Sequence, residues 1–179
     1  MVITENLLLK LKSNKMLKYT DTAITFSEVP DEITLCINIS NCPCHCKGCH
    51  SAYLAEDVGK PLVGMVLRED LINKNKGITC VAFMGGDSNP ESINNLAEYI
   101  KTWPGLEHLK VAWYSGRQEL SKEIDLKNFD YIKLGPYIEE LGPLNNTTTN
   151  QKFYKVIQVA DEEGKMDYKL NDITYKFWK

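Results

Sequence analysis

No run of apolar residues in this 179-residue chain is long enough to span a membrane or to form the core of a secretory leader. The apolar stretches near the N-terminus, Leu7-Leu8-Leu9 among them, are broken up by Lys10, Lys12, Lys15 and Lys18. A cytoplasmic chain without membrane contact is expected. Excess positive charge is also lacking. Lys and Arg number 21 against 24 Asp and Glu, a net charge of -3, so nothing marks the chain as a nucleic-acid binder. No repeat, low-complexity tract or linker rich in Gly, Pro or Ser divides it. Residues 1–179 therefore read as one domain, long enough to bury a core without staples.

Scattered cysteines, the mark of a disulfide scaffold, are missing as well. Of six cysteines, Cys42, Cys44, Cys46 and Cys49 fall within eight positions, and neighbours this close cannot staple distant segments. In a cytosolic chain, such a cluster points to metal or redox chemistry. Cys36 and Cys80 lie in β-type runs and read as small buried hydrophobes.

The order of elements places the cluster. Ile33 to Ile39 is a β-branched run that leads straight into it. Val66 to Lys74 has helical character before Gly77, and Thr79 to Met84 is a second strand halted by Gly85-Gly86. Pro90 to Thr102 is an amphipathic helix, capped by Ser88 or Asn89, with Ile93, Leu96, Ala97 and Ile100 on one face. Leu109–Tyr114 and Tyr131–Leu134 read as strands, with a short helix from Glu119 to Ile124 between them. Phe153–Val159 and Tyr175–Trp178 look like further strands, and Ala23 to Phe26 marks an edge strand or hairpin in the first thirty or so residues. Alternating strands and helices imply right-handed βαβ units, and at this length an α/β fold built as a partial, open βα barrel of parallel strands. Both the cysteine cluster and Gly85-Gly86-Asp87 then fall at carboxyl ends of strands, where such sheets carry their chemistry.

The loop reads Asn41-Cys42-Pro43-Cys44-His45-Cys46-Lys47-Gly48-Cys49-His50-Ser51 and contains Cys-x3-Cys-x2-Cys, formed by Cys42, Cys46 and Cys49. A [4Fe–4S] cube ordinarily takes four thiolates, so three leave one iron open to a ligand. An open metal position marks a catalytic rather than a structural site. A structural zinc site made from these cysteines with His45 or His50 is the alternative from another class, although the second ligand pair usual in zinc modules is lacking. Cys44 is an extra thiol whose role the spacing leaves open.

With these residues in view, the chain resembles the radical S-adenosylmethionine superfamily, and within it the activating proteins of anaerobic ribonucleoside-triphosphate reductase. The likeness runs through Cys42 to His50, Gly85-Gly86-Asp87, Trp113-Tyr114-Ser115-Gly116, Tyr131 to Tyr137, Gly142-Pro143-Leu144 and Thr148-Thr149-Asn150-Gln151. The aromatic residue often found before the third cysteine of the superfamily is Gly48 here.

The resemblance implies a [4Fe–4S] cluster on Cys42, Cys46 and Cys49, with S-adenosyl-L-methionine contacted by Gly48, Cys49, His50, Gly85, Gly86 and Asp87. It implies reductive cleavage of that cofactor to methionine and a 5′-deoxyadenosyl radical, which takes a hydrogen atom from a glycine of the partner reductase. An external one-electron donor such as flavodoxin or ferredoxin would supply the electron. Activation of another glycyl radical enzyme, of the pyruvate formate-lyase type, is the nearest variant. By residue type alone, Gly85-Gly86-Asp87 is equally a strand-to-helix turn with Asp87 as a cap, Ser115-Gly116-Arg117 is equally a plain turn, and Lys133 is equally a surface lysine.

Overall fold

A computed structural model of the chain describes residues 16–160 and 164–178. Among them are eight strands: β1 (Lys18–Thr25), β2 (Thr34–Ile39), β3 (Lys60–Pro61), β4 (Cys80–Met84), β5 (Lys110–Tyr114), β6 (Tyr131–Leu134), β7 (Lys152–Ala160) and β8 (Met166–Asp172). They form one sheet in the order β3-β1-β2-β4-β5-β6-β7-β8. Helix α1 (Gly64–Val66) continues as a wider π-type turn over Leu67–Ile72, and α2 spans Pro90–Thr102.

The sheet corrects the expected fold. Only β2, β4, β5 and β6 run parallel; β1 and β3 on one flank and β7 and β8 on the other are antiparallel. The result is a mixed, mostly β architecture with two short helices, not a parallel βα barrel. Connections explain the difference. A parallel step needs a crossover, usually helical, and α2 supplies one between β4 and β5. The residues joining β1 to β2 and β7 to β8 are too few for a crossover, so each pair closes as an antiparallel hairpin.

Two smaller expectations also fail. Glu119–Ile124 is an irregular bend, followed by a 3₁₀ turn at Leu126–Asn128. Six residues offer too few hydrogen bonds to offset helix nucleation. Tyr175–Trp178 falls largely in a 3₁₀ turn, Thr174–Phe177, whose entry is fixed by Asp172 Oδ1 accepting from the Thr174 amide at 2.9 Å. The expected N-terminal strand is present as β1 and takes the hairpin form with β2, while the two-residue β3 pairs on its other side; residues 1–15 of that extension lie outside the described residues. Among the described residues, no helix is long and apolar enough to cross a membrane.

Side chains alternate between the two faces of the sheet. Leu35, Ile37 and Ile39 of β2, Val81 and Phe83 of β4, Val111 and Trp113 of β5, and Ile132 of β6 share one core with Ile93, Leu96, Ala97 and Ile100 of α2. That helix forms as its sequence dictates: Asn89 Oδ1 accepts from the Ser92 amide at 3.1 Å, Pro90 opens the first turn, and Pro104 follows its end. The opposite face carries small side chains, Cys36, Cys80, Ala82 and Ala112, beneath Tyr131, Phe153, Val29 and Ile173. Burial raises the Cys36 thiol to about 11 and Cys80 further still, so both act as the apolar fillers expected of them.

One core residue reaches the strand ends. Fully buried Trp113 donates its indole N–H to the Gly85 carbonyl at 2.8 Å, and the Gly85 amide donates to the Tyr114 carbonyl at 3.0 Å. The glycine pair after β4 is thus fastened to β5. Trp113→Phe, which keeps a ring but removes the donor, is expected to lower stability by roughly 2–4 kcal/mol, read from the urea midpoint. A loss below about 1 kcal/mol would show that water satisfies the Gly85 carbonyl in place of the indole.

Candidate functional site

The cysteine loop springs from the carboxyl end of β2 and is clasped at its base. The Asn41 amide donates to the Glu56 carbonyl and the Cys42 amide to the Leu54 carbonyl, both at 2.9 Å. Ser40 Oγ donates to the Val58 carbonyl at 2.5 Å. Inside the clasp the chain curls through left-handed backbone at Asn41 (φ 61°), His45 (φ 44°) and Gly48 (φ 71°). Asn and Gly tolerate that region, and Gly48 has no Cβ to meet the Glu139 carboxyl, which a Cβ there would approach to 3.2 Å. Cys42, Cys44, Cys46 and Cys49 are all free thiols at intermediate exposure, and His45 and His50 are exposed.

Gly85, Gly86 and Asp87 lie beside this loop. Both glycines have positive φ, 99° and 88°. A Cβ on Gly85 would reach the Ile39 carbonyl at 3.1 Å, and one on Gly86 would strike Ile93 Cδ1 at 2.5 Å. The pair therefore lets the turn close against the end of β2 and the start of α2, a packing reason that holds whether or not a ligand is bound. Asp87 does not cap α2; Asn89 does.

Asp87 is 1% exposed and ties three segments together. Its carboxylate accepts from Ser115 Oγ at 2.6 Å and from the Gly116 amide at 2.8 Å, while Arg117 donates to its backbone carbonyl at 2.8 Å. The Cys44 thiol donates to Asp87 Oδ2 at 3.9 Å and packs on Gly116, where a Cβ would come within 2.6 Å of the sulfur. Burial first, then the Asp87 charge, raises the Cys44 thiol to about 12. Cys44 is therefore turned toward Asp87 as a donor in this structure.

Lys133 completes the group and is not a surface lysine. Its residue is 8% exposed, and Nζ donates to the Gly135 carbonyl at 2.6 Å, with the Ser115 carbonyl at 3.5 Å. Among the described residues, no carboxylate comes within ion-pair distance of it. Burial lowers its pKa from 10.5 to about 8, against the opposing pull of Asp87, Cys46, Cys44 and Cys49. A buried ammonium thus feels three of the loop's thiols and the buried carboxylate at once. Its place in a strand near the expected site is readable in the sequence, but its burial is not, because a single lysine among apolar residues looks like an outward-facing side chain.

Glu28, unlike Lys133, is not marked by any pattern in the sequence. It is half-buried behind the loop, its pKa raised by burial and drawn back by the Tyr114 hydroxyl and by His50. The Tyr114 hydroxyl also donates to the Glu28 backbone carbonyl. Beside the loop lies a cavity of about 670 Å³ walled by Pro43, Cys44, Gly116–Glu123 and Pro136. Its size suits a small-molecule ligand, and Cys44 is the thiol in its lining.

Among the described residues, no three His, Cys, Asp or Glu side chains are gathered as one bound metal ion requires. A zinc ion needs its ligands around one centre, with sulfurs at about 2.3 Å. A cube places each thiolate on a different iron and does not need that convergence. Three thiols of partial exposure, Cys42, Cys46 and Cys49 on one clasped loop, are the donor type that an iron–sulfur cluster takes.

Lys133 supplies a pH prediction. Its folded pKa of about 8 lies below the ordinary 10.5. Below pH 8 both states carry the charge and the fold bears the full cost of burying it. Between these values the folded state has lost a proton that the unfolded chain keeps, so stability rises with pH. Relative to Lys133→Met, the apo protein is expected to gain about 3 kcal/mol between roughly pH 7 and pH 10.5, followed by urea unfolding. A constant difference between the two proteins would show that the ammonium stays charged and solvated. Compared with protein-family models, curated proteins and solved structures, the chain matches none.

Proposed function

We propose that the chain is a radical S-adenosylmethionine enzyme that binds a [4Fe–4S] cluster through Cys42, Cys46 and Cys49 and activates a glycyl radical enzyme, anaerobic ribonucleoside-triphosphate reductase first among them. The carrying observation is the clasped loop itself: three thiols in the Cys-x3-Cys-x2-Cys spacing, while the fourth, Cys44, is occupied by Asp87 and Gly116. Support comes from the loop and its neighbours and not from the sheet, whose mixed order is not the parallel barrel that the resemblance implies.

When bound, the cluster would supply the electron for reductive cleavage of S-adenosylmethionine, delivered by a donor of the flavodoxin or ferredoxin kind. The protein's own work is to hold, orient and shield. Gly48 keeps the loop's curl, and Gly85-Gly86 close the turn after β4 against β2. Lys133, itself buried, would offset part of the negative charge that a thiolate-bound cluster and a cofactor carboxylate bring. The cavity of about 670 Å³ beside Cys44 provides room for the nucleoside part of the cofactor. Gly48 and His50 are exposed and Cys49 partly so, which leaves all three open to the cofactor contacts that the resemblance implies. Free, closely spaced thiols call for a reducing compartment, which supports a cytoplasmic location.

The test is anaerobic reconstitution of single variants with iron and sulfide. Cys42→Ala, Cys46→Ala and Cys49→Ala are each expected to lose most of the cluster, whereas Cys44→Ala keeps about four irons per chain. The paramagnetic resonance signal of the reduced wild type is expected to change on adding S-adenosylmethionine. Iron retained by all four variants, zinc in its place, or a signal indifferent to the cofactor would sink the proposal. Formation of a glycyl radical on the reductase, against none on pyruvate formate-lyase, would identify the partner.

A further inference from the structure

At the opposite end of the sheet, where the parallel strands begin, a second pocket of about 420 Å³ is walled by separate segments of the chain. Asp31 and Glu32 come from the turn before β2, Lys110 opens β5, Tyr131 opens β6, and Lys155 stands opposite Tyr131 on β7. Tyr175 and Lys176 close it from the C-terminal turn. The cysteine loop leaves the other end of β2, and the two cavities share no lining residue.

Glu32 is the fixed point of this pocket. Its side chain is 4% exposed and accepts from Thr79 Oγ1 at 2.7 Å, from the Tyr131 hydroxyl at 3.1 Å and from Lys110 Nζ. Lys110 lines the pocket and is 45% exposed, so its contact with Glu32 leaves donor capacity for a ligand. Lys176 reaches Asp31 at 2.6 Å, but both are open to water, at 39% and 75%, and an exposed pair of this kind is readily exchanged for a better one. Among the described residues, no carboxylate lies within ion-pair distance of Lys155. Asp31 is held below the usual carboxylate range chiefly by Lys176, with Lys110 and Lys155 adding to it, so all three ammonium groups act on one place. Three cations against two carboxylates leave the pocket positive in a chain whose net charge is -3. Tyr175, 60% exposed, presents its ring at the mouth.

The geometry points to a binding site for a small phosphate-bearing molecule with a flat ring, its phosphate held by Lys110, Lys155 and Lys176 and its ring laid on Tyr175. Lysines suit this task as mobile point charges around a tetrahedral anion with several oxygens. The volume exceeds what a lone phosphate fills and lies within the range of small-molecule sites. An exposed aromatic face beside the charges gives the remaining ligand area a stacking surface.

Calorimetric titration of the full-length chain with ATP at low salt tests this. Saturable binding of one ATP per chain is expected, weakened roughly tenfold by Lys155→Ala and several-fold by Tyr175→Ala. Lys169→Ala, an exposed lysine on β8, is expected to change nothing. Inorganic tripolyphosphate is expected to bind with the same dependence on Lys155 and none on Tyr175. Both positions are on the surface, and an unchanged thermal midpoint would confirm that the variants fold. No saturation at millimolar ATP, or equal affinity in Lys155→Ala, would overturn the site; equal ATP affinity in Tyr175→Ala would overturn the ring contact. Either failure leaves the iron content of the cysteine loop, and so the proposed function, untouched.

Discussion

A buried carboxylate organises one end of this molecule. Asp87 costs several kcal/mol to desolvate as an isolated charge, and it stays buried because its neighbours are donors. Ser115 Oγ, the Gly116 amide and the Cys44 thiol each bring a hydrogen to it from another part of the chain. The turn after β5 is thereby pinned to the turn after β4, and the cysteine loop after β2 to both. The Ser115 amide then reaches the Lys133 carbonyl at 2.9 Å, and the Gly135 amide reaches the Arg117 carbonyl at 2.7 Å, which extends the tie to β6. Four strand ends are held around one carboxylate, and every residue of the candidate site borders that assembly or the loop it anchors.

Much of this was legible in the sequence where burial was complete. Strands β2, β4 and β5 and helix α2 are dense in apolar residues bounded by glycine, proline or a cap, and they fall within a residue or two of where the pattern puts them. Strand β8 left no such trace, because Met166–Asp172 is mostly exposed and owes its shape to pairing with β7. Topology was less readable still. Strands that alternate with helical segments suggest parallel order, yet the direction of each strand is set by how the chain between them travels.

The candidate site divides along similar lines. The spacing of Cys42, Cys46 and Cys49 is a local pattern, and local patterns survive in sequence. The special condition of Cys44 depends on Asp87 and Gly116, forty-three and seventy-two positions away, and on burial that no spacing encodes. Lys133 is the same kind of case: its neighbours in sequence, Ile132 and Leu134, are buried as it is, so the usual alternation of inside and outside fails at that strand. The glycine pair teaches a different lesson. The sequence reads it as a strand-to-helix turn or a cofactor contact, but the atoms that forbid a side chain belong to Ile39 and Ile93, so the demand for glycine is already met by packing within the protein.

The clasp at the base of the cysteine loop separates the shape of the loop from the chemical state of its thiols. Residues 41 to 56 form a ring closed by backbone hydrogen bonds near the sheet, so the entropy of bringing the ends together is settled by the fold and not by whatever the thiols hold. A change at Cys42, Cys46 or Cys49 is then a local event, with the ends of the loop already held. Oxidation of one of these thiols would leave the strands beneath it paired, a useful property where the sulfurs are only partly covered.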